Sequence, residues 1–147
     1  MDQLVICFPT SIAGTRCYTD ALTTPDTAVS VPRQTGLGIF IINTDVQPPL
    51  SIFIKATMQD SPLVIMAESA AIALAAQLLN HLQGHQKTLL SDNQQLVNFL
   101  NGSNFSDPPD WKIKPYIQIT ASLLSRTNLV VRTIGRTHNQ MADSLVR

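Results

Sequence analysis

Arg16-Cys17-Tyr18-Thr19-Asp20 is the stretch on which the reading of this chain turns. Tyr18 is aromatic, and Cys17 and Thr19 are small, a combination that suits a pleated surface. Asp20 closes the segment ahead of a turn-rich run, Thr23-Thr24-Pro25-Asp26-Thr27, and a strongly apolar strand follows at Leu37-Gly38-Ile39-Phe40-Ile41-Ile42. An acid at the end of an early strand, beside so apolar a partner, lies close to the sheet. A carboxylate there is poorly solvated unless a cation or a hydrogen-bond donor meets it. One such acid ordinarily just faces water, so the question is whether others arrive at the same spot.

Outward from this pair, Val46-Gln47-Pro48-Pro49 makes a turn and Ser51 to Met58 reads as a third strand, giving an antiparallel meander. The period then changes. Ala67, Ala70, Ala71, Leu74, Ala75, Leu78 and Leu82 recur at helical spacing until Gly84, and the alanines would let this helix lie close on the sheet. Thr88-Leu89-Leu90 is a short apolar strand. Ser91 and Gln94 form a capping box that opens a helix through Leu96, Val97, Phe99 and Leu100, stopped by Asn101-Gly102. Asp110 is the expected N-cap of a helix from Trp111 to about Leu124, with Pro115 tolerated in its first turn. Leu129 to Ile134 is a fifth strand, and Thr137 with Gln140 caps a last helix. Three strands, a helix, a strand, one or two helices, a strand and a helix predict an α/β fold. Its sheet is mixed and five-stranded, the first three strands antiparallel and the last two joined by crossover helices. Leu4 to Phe8 is a short apolar run stopped by Pro9, placed in an N-terminal extension (residues 1–13) ahead of a single domain over 14–147.

Composition narrows the function classes. The 147 residues are 44% hydrophobic and 14% charged, a globular balance, and the formal net charge is zero. A strongly basic nucleic-acid footprint is therefore missing, so a polyanion would have to be met locally or through metal ions. Cys7 and Cys17 are too few for a disulfide framework and too isolated for zinc, and His81 and His85 are likewise too sparse. A reducing intracellular setting, nucleus or cytoplasm, is expected. No apolar run reaches membrane-spanning length, and Met1 to Thr10 lacks the basic start of a secretory signal, so no membrane partner is expected.

Few acids are present, and each can be placed. Asp20 ends the first strand, Glu68 lies near the start of the alanine-rich helix, Asp92 sits between a buried strand and a helix, and Asp143 lies in the last helix. In a mixed sheet the ends of the first and fourth strands can be neighbours, with the helix starts bringing Glu68 and Asp143 toward them. Four acids on one patch repel one another unless protonated or met by cations. Carboxylate oxygens suit Mg²⁺ or Mn²⁺, and two such ions ~3.5–4 Å apart can clamp a phosphodiester for attack by water. Taken singly, Asp92 and Asp143 read as helix-dipole charges and Glu68 as a solvated helix acid.

The segments Thr19-Asp20, Ala67-Glu68, Ser91-Asp92 and Asn139-Gln140-Met141-Ala142-Asp143-Ser144-Leu145, in this order, resemble type 1 ribonuclease H. The nearest likeness is to the reverse-transcriptase-associated domains of plant retroelement-derived proteins, and it runs from Gly14 to Arg147. The resemblance implies a ribonuclease H-like fold and two-metal hydrolysis of the RNA strand of an RNA/DNA hybrid. It implies Asp20, Glu68, Asp92 and Asp143 as catalytic acids holding two Mg²⁺ or Mn²⁺ ions, with Gln94, Asn93 and Asn139 on the substrate side. Asn139 stands where the family has an asparagine that orients the final loop. A monomer is expected, and so is a place within a larger retroelement-derived polyprotein.

The chain departs from the family pattern in several places. Ala21 replaces a glycine after the first acid, Val64, Ile65 and Met66 stand where polar groove-readers are common, and the basic extension is missing from the short stretch Asn101 to Asp110. No histidine falls within Thr133 to Arg136; His138 is a candidate for proton transfer, against the plainer reading of a surface histidine at a helix start. Neutral charge and the apolar stretch before Glu68 favour an alternative, a poorly active or inactive nucleic-acid-binding module. An integrase or transposase core ranks behind both. Trp111 and Tyr116 read as core anchors rather than base-stacking groups, and Lys112, Lys114, Arg126, Arg132 and Arg136 as candidates for a modest phosphate-binding face.

Overall fold

The computed structural model describes residues 14–23, 34–43, 47–59, 64–82, 86–102, 108–139 and 142. The expected N-terminal extension with Cys7, the helix stop at Gly84, His85, and most of the last helix with Gln140 and Asp143 lie outside the described residues.

Five strands form one sheet: β1 (Thr15–Thr23), β2 (Gln34–Asn43), β3 (Leu50–Gln59), β4 (Lys87–Ser91) and β5 (Leu129–Thr133), in the order β3-β2-β1-β4-β5. β1 pairs antiparallel with β2 and β2 with β3, while β4 runs parallel to β1 and β5 parallel to β4. This is the mixed sheet expected from the order of elements. The parallel strands need crossovers, supplied by α1 (Val64–His81), α2 (Gln94–Leu100) and α3 (Lys114–Arg126).

Alternation along the strands divides the core. Cys17, Ile39, Ile41, Leu89 and Val131 pack with Ile72, Ala75, Leu79, Leu96, Leu100, Ile113 and Ile117 of the helical layer. Tyr18, Phe40 and Leu90 face the other way, with Ile134 and Ala142. On that face the rings of Tyr18 and Phe40 lie 6.0 Å apart and those of Phe40 and Phe53 4.5 Å apart, both stacked, a cross-strand aromatic ladder.

α1 positions everything else. By length and composition it is apolar enough to cross a membrane, with 18 residues at a mean hydropathy of 1.3, which corrects the expectation that no segment reaches that length. Its apolar surface is instead buried inside the protein. Ala67, Ala70 and Ala71, at helical spacing, lie against Leu37, with Ala21, Ala56 and Met58 at the margin. Side chains this small allow the helix axis to approach the strands closely, and Ala71 is wholly buried.

Three local expectations are corrected. Asp20 is inside β1, not at its end: Ala21, Leu22 and Thr23 continue the pairing with β2 after β4 has stopped. The cap of α2 is Asn93, whose side-chain oxygen accepts from the Leu96 amide at 3.1 Å; Ser91 Oγ accepts from the Asn93 amide instead, folding the chain into the cap. Asp110 does cap, but it caps a 3₁₀ turn at Trp111–Ile113 that precedes α3. Ile113 takes the fully buried position there, and Trp111, expected as a core anchor, is 76% exposed.

The close approach of α1 is testable. Ala71→Leu forces extra volume between helix and sheet and is expected to cost about 1–3 kcal/mol. Urea denaturation checks this: the midpoint falls at an unchanged slope, whereas an unchanged midpoint would mean that the helix has room to spare.

Candidate metal centre

Strand register brings two acids together. Thr19 of β1 is paired with Ser91 of β4 in the parallel ladder, so the next residues, Asp20 inside β1 and Asp92 just past the end of β4, lie side by side. The carboxyl end of parallel strands is where α/β sheets commonly bind ligands. The pairing is reinforced on the spot: Thr19 Oγ1 donates to the Leu90 carbonyl at 3.2 Å, and the Ile134 amide to the Ser91 carbonyl at 2.9 Å.

Glu68 comes from the second turn of α1. Its neighbour Ala67 is buried against the cluster that includes Ala21, which carries Glu68 toward Asp20. Glu68 is only 5% exposed and Asp20 6% exposed, while Asp92 is half-buried at the rim. One carboxylate oxygen from each of the three lies within 4.8 Å of the others. Asp20 Oδ1 accepts from the Ala21 amide at 2.9 Å. Glu68 Oε2 is buried with no hydrogen-bond partner among the described residues.

At this spacing the proton affinity of Glu68 changes. The Glu68 carboxyl is pushed up from 4.5 to about 9 by burial first, then by the negative charges of Asp20 and Asp92 and a hydrogen bond with Asp20; the Ala21 amide opposes this weakly. A lone buried acid would remain neutral. A cation meeting the cluster would release that proton and give the orphaned oxygen a partner. The donor set is all carboxylate oxygen, which fits a hard divalent ion such as Mg²⁺ or Mn²⁺. Cys17, the free cysteine among the described residues, is fully buried, and burial pushes its thiol far above the usual range, so it offers no thiolate.

The remaining site residues named from sequence fall at different distances from this chemistry. Asn139 is 1% exposed, and its Nδ2 donates to the Thr19 carbonyl at 2.8 Å, tying the segment after β5 to the strand residue just before Asp20. Gln94 begins α2 and is exposed; Asn93 is half-buried with its side-chain oxygen engaged in capping. His138 is exposed in the 3₁₀ turn Arg136–His138, its Nδ1 3.3 Å from Thr137 Oγ1. Of the cations named, Lys112 and Lys114 stand at the start of α3 and Arg126 at its other end, roughly 18 Å away at 1.5 Å per residue, so these three do not share one patch.

No family model matches the sequence, and no curated protein is significantly similar to it. Solved structures are similar in fold. The LC11-RNase H1 isolated from compost by a metagenomic approach superposes with a TM-score of 0.72 at 22% identity, over 90% of this chain and 91% of that one. The RNase H1 of the halophilic archaeon Halobacterium salinarum gives 0.70 at 18% identity, over 89% and 92%. The foamy viral protease-reverse transcriptase in complex with an RNA/DNA hybrid gives 0.69 at 17% identity, over 90% of this chain but 19% of that one. The fold of this chain is ribonuclease H-like.

The raised Glu68 carboxyl sets a pH dependence with a definite sign. Between 4.5 and about 9 the folded chain holds a proton that the unfolded chain has lost, so metal-free stability falls as pH rises through that window. Thermal melts in EDTA should show this decline, and Glu68→Gln, which mimics the neutral acid, should flatten it. Mg²⁺ or Mn²⁺ should raise the melting temperature of the native chain, more strongly at higher pH, and leave the Gln variant nearly unmoved. Identical pH profiles for the two chains would show that Glu68 does not carry this proton.

Proposed function

We propose that this chain, with its ribonuclease H-like fold, is a divalent-metal-dependent endonuclease that hydrolyses the RNA strand of RNA/DNA hybrids. The observation that carries the reading is the trio Asp20, Glu68 and Asp92, with ligand atoms within 4.8 Å of one another and one buried carboxylate oxygen unpartnered among the described residues. Support for the substrate comes from the similar structures, since LC11-RNase H1 has been solved in complex with an RNA/DNA hybrid. In this reading Asp143 is the fourth ligand and two Mg²⁺ or Mn²⁺ ions are held. When bound, they supply an activated water and neutralise charge developing on the scissile phosphate.

The chain's own residues do the rest. Asp20 and Glu68, buried, and Asp92, half-buried at the rim, would hold the ions, and Glu68 would give up its proton on binding. Asn139 holds the strand backbone beside Asp20 in place, and Gln94 and Asn93 present polar groups at the start of α2. His138, exposed beside Asn139, is the candidate for proton transfer. Hybrid would be recognised by its shape and 2′-hydroxyls. The plant retroelement branch, a place within a larger polyprotein, a monomeric state and a nuclear or cytoplasmic setting complete the reading and rest on sequence motifs and composition.

A second reading has one observation in its favour. Val64, one turn before Glu68 at the start of α1, is 61% exposed, with Ile65 and Met66 half-buried after it, an apolar lip. A nucleic-acid-binding module with little turnover would tolerate that lip. It would gain nothing from three mutually repelling acids.

A labelled hybrid separates the two. With Mg²⁺ or Mn²⁺ the RNA strand is expected to be cut internally, and Asp20→Asn to lower the rate by roughly 10²-fold or more, since an ion's contribution is worth several kcal/mol. Tight binding of hybrid without cleavage in either ion would overturn the nuclease reading in favour of the binding module.

A further inference from the structure

Trp111 is the single tryptophan of the chain, and it is turned outward on a rigid mount. The 3₁₀ turn beneath it is pinned by Asp110, whose Oδ1 accepts from the Lys112 amide at 2.9 Å and whose carbonyl accepts from the Ile113 amide at 3.1 Å. Ile113 is wholly buried in the main core, and Pro109 and Pro115 flank the turn. The backbone that carries the indole is therefore fixed, so little backbone freedom is lost when the ring meets a partner. Lys112 and Lys114, both exposed, bracket the same turn.

The position of this knob says what it would meet. Tyr116, on the first turn of α3, packs against the cluster of Leu37, Ala67, Ala70 and Ala71, on which Ala21 also packs. Ala67 and Ala21 adjoin Glu68 and Asp20, so α3 begins at the metal-centre end of the molecule. The far ends of α1 and α3 meet elsewhere, where His81 and Arg126 line a common surface pocket. An exposed aromatic ring with two cations beside it suits a polynucleotide: the ring stacks on a base and the ammonium groups meet phosphates. Bases inside a duplex have both faces covered, so a stacking partner must be unpaired.

We propose that Trp111, Lys112 and Lys114 form a contact for unpaired nucleotides that flank the duplex at the metal centre. The inference rests on the nucleic-acid reading of that centre. It gives the chain a preference for hybrids with single-stranded overhangs, and the direction of the overhang follows from which strand runs toward α3.

The test uses the full chain with hybrids that are blunt or carry about six unpaired nucleotides at the 5′ or 3′ end, a length within one stacking platform's site size. Binding is followed in the Asp20→Asn chain with Mg²⁺ by the anisotropy of a fluorescently labelled hybrid for every variant, and by the lone indole where Trp111 is present; cleavage of the blunt hybrid is measured in parallel with the native chain. Overhang of one polarity is expected to quench the fluorescence and bind about tenfold tighter than blunt hybrid. Trp111→Ala should abolish that advantage, and the Lys112→Gln, Lys114→Gln pair should lower the logarithmic salt slope by roughly 1.4, at about 0.7 per phosphate. Melting temperatures of the variants check that they fold. Equal affinity for blunt and overhanging hybrids, or an overhang advantage that survives Trp111→Ala, overturns the proposal. So does a Trp111→Ala chain that keeps its affinity but elutes as a monomer where the native chain is a dimer, which would make the knob a contact between copies. Cleavage of blunt hybrid without any overhang effect overturns this inference alone; failure to bind or cut any hybrid overturns the nuclease reading with it.

Discussion

Repulsion among three carboxylates is the constraint around which this molecule is arranged. Left to themselves, Asp20, Glu68 and Asp92 would move apart. They are prevented by contacts that have nothing to do with charge. The parallel register of Thr19 with Ser91 sets Asp20 beside Asp92, and the buried alanines of α1 press Glu68 onto the same place. The Asn139 side chain, bonded to the Thr19 carbonyl, closes the arrangement from the far end of the chain. Hydrophobic burial and backbone hydrogen bonding thus hold the acids together, and the cost, burial first and the charges of Asp20 and Asp92 after it, appears as the proton retained by Glu68. A site that must either keep a proton or take up a cation is poised for metal.

Much of this was legible in the residues. Periodicity separated the three antiparallel strands from α1, because alternation and helical spacing are distinct signals in apolar segments of this length. The run of alanines announced close helix–sheet packing. That Asp20 and Asp92 are neighbours followed from the order of elements, since a helix between the third and fourth strands returns the chain parallel to the first. Glu68 was harder. Its sequence surroundings read equally well as a solvated helix, and only the depth to which α1 sinks between the sheet and α3 shows that the acid is buried.

The misses share one cause, the competition between local signals and tertiary context. Asp20 read as a strand end because its partner on one side, β4, stops there; β2 goes on, and a single sequence does not say which neighbour governs. Ser91 and Gln94 fit a capping box, but Asn93 lies nearer the helix start and its amide oxygen reaches the Leu96 amide first. Trp111 read as a core anchor because tryptophan after a proline turn commonly is one. The 3₁₀ turn reverses the choice, giving the inward position to Ile113, two residues on.

The sheet order has a further consequence, for the sequence of events in folding. β1, β2 and β3 join through near neighbours and can zip together locally, whereas the bonds that frame the acids connect residues 71 and 120 positions apart. A chain emerging from the ribosome therefore completes its meander, and lays α1 across it, before β4 arrives to bring Asp92 in. The three acids therefore meet only through long-range contacts, made onto a meander whose own pairings are local.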